Sequence, residues 1–418
     1  MTAQTSLRPL ARSLVPLADE TLSGYLLRLA HRLCIDPGRL AKLTGLTGGK
    51  SADTTIVRLA MNLVFRLDDQ ARSQFAEVTR LTPAEVDGLL LESLGTRYGP
   101  LDPQYSKAPD SSRVIAHNPW VFTETIRFCP ECLAGDGSEV EGLHGGAWRR
   151  SWRLPVVFAC PQHRRLLLDR CPQCAGLAHA GGQTSMIARL NDDELHPTQC
   201  RSTPGPRQIG HGGPACGADL TRSPGNRLRE LSPQTRRTVF ALQNRFTQLL
   251  AADGPTTTGS VGWSVPVAQY FMDLRAVTTL IFMTWPEARP HAATPTLAEA
   301  LDIEAQQRHD RYLERRAAPG KTQAVRAYSD PSTDPLAAAV FDIADRFLRS
   351  PDENTAATLL SPLAAEARYA HQPLSYSIRR SAGTSFPLQV VLLTHRSRSG
   401  IQDNITEIIE RREDLTRC

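Results

Sequence analysis

The sequence predicts a mainly α-helical protein interrupted by a metal-binding middle. Two observations carry this reading. Apolar residues recur at helical spacing in the first hundred residues or so and again in the carboxy-terminal half, and seven of the nine cysteines fall between Val121 and Asp219, where glycine is frequent and periodicity weak. The expected organisation is a helix-turn-helix-like helical domain over residues 1–100, a connector over 101–120, two zinc-finger modules of ribbon or knuckle type over 121–221, and a helical domain over 222–418.

A chain of 418 residues has room for two to four domains and can bury a substantial core without covalent help. Its 41% apolar and 22% charged residues are ordinary for a globular protein, while 30 prolines and 28 glycines imply short elements and many turns. The longest apolar run, Val277 to Trp285, is broken by Thr278, Thr279 and Thr284, far short of a membrane span. The first twenty residues have no apolar core of the kind found in signal peptides. A cytoplasmic protein with no membrane association is expected, and in that reducing compartment cysteines serve as metal ligands or buried thiols more than as disulfides.

The formal charge is +5, yet only Lys42, Lys50, Lys107 and Lys321 are lysine, leaving 44 of 48 basic residues as arginine. A GC-rich coding sequence accounts for such a bias, although arginine also suits phosphate contacts through its planar fork. Six arginines lie between Arg149 and Arg170 against the single acid Asp169, and eight lie between Arg201 and Arg245 against Asp219 and Glu230.

Along the chain, Leu22, Tyr25, Leu26, Leu29 and Leu33 form one apolar stripe, with Arg28 and Arg32 off it. Asp36, Pro37 and Gly45 then start and stop a second helix, making a helix-turn-helix candidate in which Arg39, Lys42 and Thr44 could face a major groove. Cys34, between the two, is expected as a small core residue, and His31 carries no role. A longer helix is expected from about Thr54 to Phe75. Thr82 and Glu85 form a capping box, with Pro83 at the first helical position and Leu81 stapled onto Val86. Tyr98 to Pro119 reads as a connector. Further helices are expected from Ser232 to near Ala252, Pro266 to Trp285, Thr296 to Arg316, Asp334 to Arg349, Glu353 to Ala370 and Ile401 to Arg417, with a linker over Asp253 to Gly262 and a strand over Leu388 to Leu393.

The cysteines supply the sharpest signal. Cys129-Pro130-Glu131-Cys132 is followed by Cys160-Pro161-Gln162-His163, then Cys171-Pro172-Gln173-Cys174, then the separated Cys200 and Cys216. A C-x-x-C turn sets two thiolates along one tetrahedral edge, and two such turns close a four-ligand cage. The spacing points to two structural zinc ions, one held by Cys129, Cys132, Cys160 and His163, the other by Cys171, Cys174, Cys200 and Cys216. The 15 residues between Cys200 and Cys216 leave His196 or His211 open as substitutes. No histidine is followed two positions later by glutamate, which a zinc deaminase requires, and H-E-x-x-H, the P-loop, G-x-S-x-G and a Rossmann glycine motif are all missing. A non-enzymatic role is expected.

Asp19-Glu20-Thr21-Leu22-Ser23-Gly24-Tyr25-Leu26-Leu27-Arg28-Leu29-Ala30, Arg127-Phe128-Cys129-Pro130-Glu131-Cys132-Leu133, Trp152-Arg153-Leu154, Cys160-Pro161-Gln162-His163, Leu167 and Cys171-Pro172-Gln173-Cys174 come in this order. Together they resemble the TniQ/TnsD family of transposition proteins, over roughly Leu14 to Leu220, with Cys216-Gly217-Ala218-Asp219-Leu220 similar to the family's closing knuckle. The resemblance implies a non-catalytic factor that selects the insertion target, by reading a DNA site or docking on a CRISPR RNA-guided complex, and that recruits an AAA+ ATPase. It also implies an amino-terminal helix-turn-helix-like element followed by zinc fingers, with Cys129, Cys132, Cys160, His163, Cys171, Cys174, Cys216 and Cys200 as metal ligands.

Arg149, Arg150, Arg153, Arg164, Arg165 and Arg170 are expected on the surface of the folded fingers, where they could neutralise phosphates; pairing with Glu131, Glu139, Glu141 and Asp169 is the competing expectation. The carboxy-terminal half, with Arg236 and Arg237, is expected to help read the target or to form a homodimer. A zinc-containing helix-turn-helix transcription regulator is the alternative from another functional class.

Overall fold

The computed structural model describes residues 8–46, 56–105, 118–121, 126–178, 184–189, 194–202, 214–222, 230–317, 326–332, 334, 336–370 and 383–393. The expected helix over Ile401 to Arg417, the alternative ligand His211 and the terminal Cys418 lie outside them. The described residues are mainly helical, with three two-stranded antiparallel sheets. By internal contacts the chain divides into two units, residues 1–103, 108–254 and 331–338 in the first, and 104–107, 255–330 and 339–418 in the second.

The first unit begins with helix α1, Leu22–Leu33, whose Thr21 side chain accepts from the Gly24 amide as a cap. It ends at Cys34, which takes a left-handed conformation (φ 52°) and is exposed, not part of the core as its small size suggests. Asp36 caps α2, Pro37–Leu43, through the Arg39 amide. The expected apolar stripe of α1 is too narrow a description, because every residue from Leu22 to Ala30 is buried. Arg28 is among them: its guanidinium meets the Glu20 carboxylate at 2.8 Å with both side chains fully shielded from solvent. Burial raises the Glu20 carboxyl while the facing guanidinium opposes that rise.

The segment over which a single long helix is expected is broken. Strand β1, Ile56–Ala60, pairs antiparallel with β4, Thr184–Arg189, the helix resumes only as α3, Met61–Phe65, and Asp68 caps a separate α4, Asp69–Thr79. The β-branched Ile56-Val57 pair and a cap-forming Asp68-Asp69 are the local causes. Helix α5, Pro83–Gly88, has both hydrogen bonds of the expected capping box, and Leu81 and Val86 are both buried.

From Ile126 to Arg222 regular structure is sparse. Among the described residues it includes, besides β4, the short helices α6, Pro130–Ala134, and α7, Glu139–His144, and the hairpin of β2, Ala159–Cys160, with β3, Arg165–Leu166. This region is bound to α1 through the backbone. The Thr21 amide donates to Trp148 O at 2.7 Å, the Arg150 amide donates to Asp19 O at 2.7 Å, and Glu20 pairs with Arg149 in an antiparallel bridge. Gly24 permits the approach, since a Cβ there would stand 2.8 Å from the Trp148 Cβ.

Helix α8, Pro233–Leu250, packs in this first unit: the Gln243 side-chain oxygen accepts from the Phe158 and Ala159 amides at 2.8 and 3.0 Å. The division therefore falls after Gly254, not near residue 222 where the sequence puts it.

The second unit opens with a hairpin, β5, Thr257–Ser260, and β6, Trp263–Pro266, where a linker is expected; Val261 and Gly262 turn it with φ of 45° and 87°. It leads into α9, Val267–Met283, which is buried along most of its length. Around it are α10, Pro295–Ala317, the short α11, Arg326–Ser329, α12, Val340–Leu348, α13, Glu353–Ala370, and α14, Phe386–Leu393. The expected strand at Leu388 to Leu393 is thus helical, started where the Ser385 hydroxyl accepts from the Leu388 amide. At the centre, Asp273 of α9 accepts from the Ser260 hydroxyl and from both the amide and hydroxyl of Ser385, so one carboxylate joins the hairpin, α9 and the start of α14. Burial pushes Asp273 up to about 6, against the lowering effect of its serine donors.

Two predictions follow from these contacts. Gly24→Ala forces α1 away from Trp148 and is expected to lower unfolding free energy by about 1–3 kcal/mol, measured by denaturant titration. The raised Asp273 pKa means that the folded state holds a proton the unfolded chain has released. Its stabilising contribution is full below the unfolded value of 3.8 and is lost as pH rises to about 6. Asp273→Asn should remove that fall, so the difference in melting temperature between variant and parent grows in the variant's favour between about pH 4 and 6.

Candidate metal centres

Two groups of four side chains converge, and within each group the donor atoms all lie within 4.8 Å of one another: Cys129, Cys132, Cys160 and His163, and Cys171, Cys174, Cys200 and Cys216. In the first, Cys129 precedes α6 as its cap residue and Pro130 starts the helix, so the backbone turns at once and returns Cys132 to the same side. The other half comes from the β2–β3 hairpin. Cys160 pairs with Arg165 across it, and the loop between them, with Arg164 at φ 47°, carries His163 inward.

The spacing of these atoms fits a bound cation. Cys132 Sγ and Cys160 Sγ are 3.6 Å apart, and His163 Nδ1 lies 3.5, 3.3 and 3.5 Å from the sulfurs of Cys129, Cys132 and Cys160. Tetrahedral bonds of about 2.3 Å to sulfur and about 2.0–2.1 Å to nitrogen give edges of about 3.8 and 3.6 Å. Three sulfurs so close cannot all ionise unaided. Hydrogen bonding among them and burial push the Cys129 and Cys132 thiols up, while Cys160, which receives their hydrogens, is held down. A divalent ion at the centre removes that conflict, and the soft donor set suits zinc-like ions. Around the cage, Arg165 grips both oxygens of Glu131 at 2.8 and 2.7 Å, and Glu131 in turn lies 3.4 Å from Cys129 Sγ.

The second cluster has the long spacing between Cys200 and Cys216 built into a ladder. Gln199 pairs antiparallel with Asp219; the Cys200 amide donates to Ala218 O, the Gly217 amide to Cys200 O and the Cys216 amide to Ser202 O. These rungs bring the two cysteines together however many residues lie between. Opposite them, Cys171 and Cys174 form a tight turn in which the Ala175 amide donates back to Cys171 O and Ala175 takes a φ of 54°. The sulfur pairs Cys171–Cys216 and Cys174–Cys200 are 3.9 and 3.7 Å apart, again one tetrahedral edge. His196 stands apart from this cage: its Nδ1 meets the Thr198 hydroxyl at 2.7 Å and its Nε2 meets Leu143 O at 3.3 Å.

The basic residues divide sharply. Arg153 and Arg165 are buried, and the Arg150 side chain is 12% exposed and engaged with Asp19 and Leu90 O, so these three are not available to a phosphate. Thr44 is buried as well, its hydroxyl donating to Leu40 O. Arg164 and Arg170 are exposed, the first over the Phe240 ring, and Arg149 is half-buried over Trp152. On α2, Arg39 is exposed and Lys42 half-buried. Sequence reasoning missed the Glu20–Arg28 pair, and a hint was available: an acid two positions before a helix whose one inward arginine lies eight residues on.

Comparison with known families bears on the amino-terminal part. Residues 11–167 match the TniQ family model. The matched TniQ stretch contains α1, α2 and all four residues of the first cluster; the second cluster begins four residues beyond its end, although the resemblance read from the sequence extends to Leu220. No curated protein and no solved structure matches the chain. Among the described residues no helix is long and apolar enough to cross a membrane.

Cys200→Ser or Cys216→Ser is expected to remove one metal equivalent and leave the other, whereas His196→Ala retains both. Elemental analysis of the purified variants checks this.

Proposed function

We propose that this chain is a non-catalytic targeting adaptor in transposition, built on two structural zinc ions. The TniQ match over residues 11–167 carries the reading, because it spans both the helix pair α1–α2 and the first Cys/His cluster. Cys129, Cys132, Cys160 and His163 bind one zinc ion and Cys171, Cys174, Cys200 and Cys216 the other; with four protein donors each, neither ion has an open position for chemistry. In this role the protein meets a target DNA site or a target-bound RNA-guided complex on one face and an AAA+ ATPase on another.

Support for a nucleic-acid face comes from the arginines that stay exposed. Arg39 on α2 and Arg164 and Arg170 beside the clusters are free of the burial that disqualifies Arg153 and Arg165. Contacts from these three to phosphates release counterions, so affinity falls steeply with salt.

The test is a targeted-insertion assay with the cognate transposase and ATPase. Cys129→Ser and Cys171→Ser should each lose one zinc and abolish directed insertion, with the AAA+ partner no longer retained. Arg39→Glu, Arg164→Glu and Arg170→Glu should keep both zincs and weaken target engagement, each lowering the magnitude of the log–log salt slope by about 1. Full directed insertion by a zinc-free protein would overturn the reading.

A further inference from the structure

Three histidines from distant parts of the first unit meet away from both cysteine clusters. His31 lies in the last turn of α1, His144 ends α7, and His196 precedes the Cys200 ladder. Their rings stand edge-to-face, His31 to His144 with centroids 5.2 Å apart and His31 to His196 with centroids 5.0 Å apart. His31 Nδ1 and His144 Nδ1 face each other at 2.9 Å. Two nitrogen lone pairs at that distance repel unless something positive lies between them, and only a proton or a metal ion is small enough.

The distance itself is informative. Two metal–nitrogen bonds of about 2.0–2.1 Å meeting at a right angle place their nitrogens about 2.9 Å apart, which is the cis edge of a square or octahedral site. All three rings are half-buried. Burial is the first cause that lowers all three pKa values, helped at His31 and His144 by neighbouring imidazoles and guanidinia, and that of His144 falls to about 4; the imidazoles are neutral at pH 7, and with their protons on Nε2 both facing Nδ1 lone pairs are available. Of the guanidinia near the rings, Arg28 is neutralised by Glu20, while Arg32 lies near His144 and Arg201 near His31 and His196.

From this geometry we propose a third metal site, in which His31 and His144 chelate a divalent first-row transition ion through Nδ1, with water in the remaining positions. His196 walls the site without joining it, since among the described residues only the two cysteine clusters bring three or more donors into mutual range. A pair of protein ligands gives an exchangeable ion, unlike the closed four-ligand cages. When bound, the ion ties the carboxy-terminal end of α1 to that of α7, two segments 113 residues apart in sequence.

The experiment uses the full chain with both cysteine clusters loaded with zinc. Ni2+ or Co2+ is titrated in by calorimetry, and bound metal is counted after gel filtration. A third equivalent is expected in the parent protein, with Co2+ giving weak ligand-field bands and none of the intense sulfur charge-transfer absorption of a thiolate site. His144→Ala and His31→Ala should each weaken uptake by at least about tenfold while keeping two zincs, and the retained zincs report that the fold is intact. His144→Asn, a milder change at the end of a short helix, gives the same readout if either alanine variant fails to fold. Absence of a third equivalent in the parent, or its retention in the folded variants, would overturn the proposal.

Discussion

Sulfur atoms 3.6–3.9 Å apart repel once ionised, and the amino-terminal unit is organised around two places where that repulsion has to be neutralised. Among the described residues between Ile126 and Arg222 there is no long helix and no sheet of more than two strands. Two convergent groups of Cys and His side chains lie within this stretch instead. The Trp148–Trp152 segment lies in sequence between Cys132 and Cys160 of the first cluster, its aromatic side chains are buried with Phe128, and it bonds through its backbone to Asp19 and Thr21. Through that segment α1 is joined to the part of the chain that carries the first cluster.

Buried arginine is the second recurring device. Arg127 donates to the carbonyls of Pro155, Val157 and Ser332, and Arg308 to those of Ala327, Tyr328 and Asp330. Irregular backbone leaves carbonyls that no ladder satisfies, and a guanidinium with five donors in a fixed plane can satisfy several at once. Burial brings both down to about 10, still well above neutrality, so each stays charged. The arginine richness of the sequence thus serves the interior as well as the surface, which its linear distribution could not reveal.

Legibility followed the range of the interaction. Caps, first-turn prolines and the capping box at Thr82 are settled within four residues, and they were readable. So were the cysteine turns, whose geometry is local, and the apolar run of α9. Strand β1 is not, because its partner β4 lies more than 120 residues away and the β-branched Ile56-Val57 pair alone does not announce that pairing. The same holds for Arg153 and Arg165: a basic residue beside a cysteine turn looks solvated until the chain folds back over it. Helix α14 reads as a strand because a run of Leu and Val carries no period of its own, and the deciding contact, Ser385 against Asp273, spans 112 residues.

The ladder beneath the second cluster has a further consequence. Because rungs from Gln199 to Ser202 and from Cys216 to Asp219 close the loop at its base, the cage is indifferent to how much chain leaves at Ser202 and returns before Cys216. Such a junction decouples sequence length from fold. Over evolutionary time it is a position where new segments can be spliced in and retained, and at the bench it is where a reporter or affinity handle can be threaded with the ligand geometry kept.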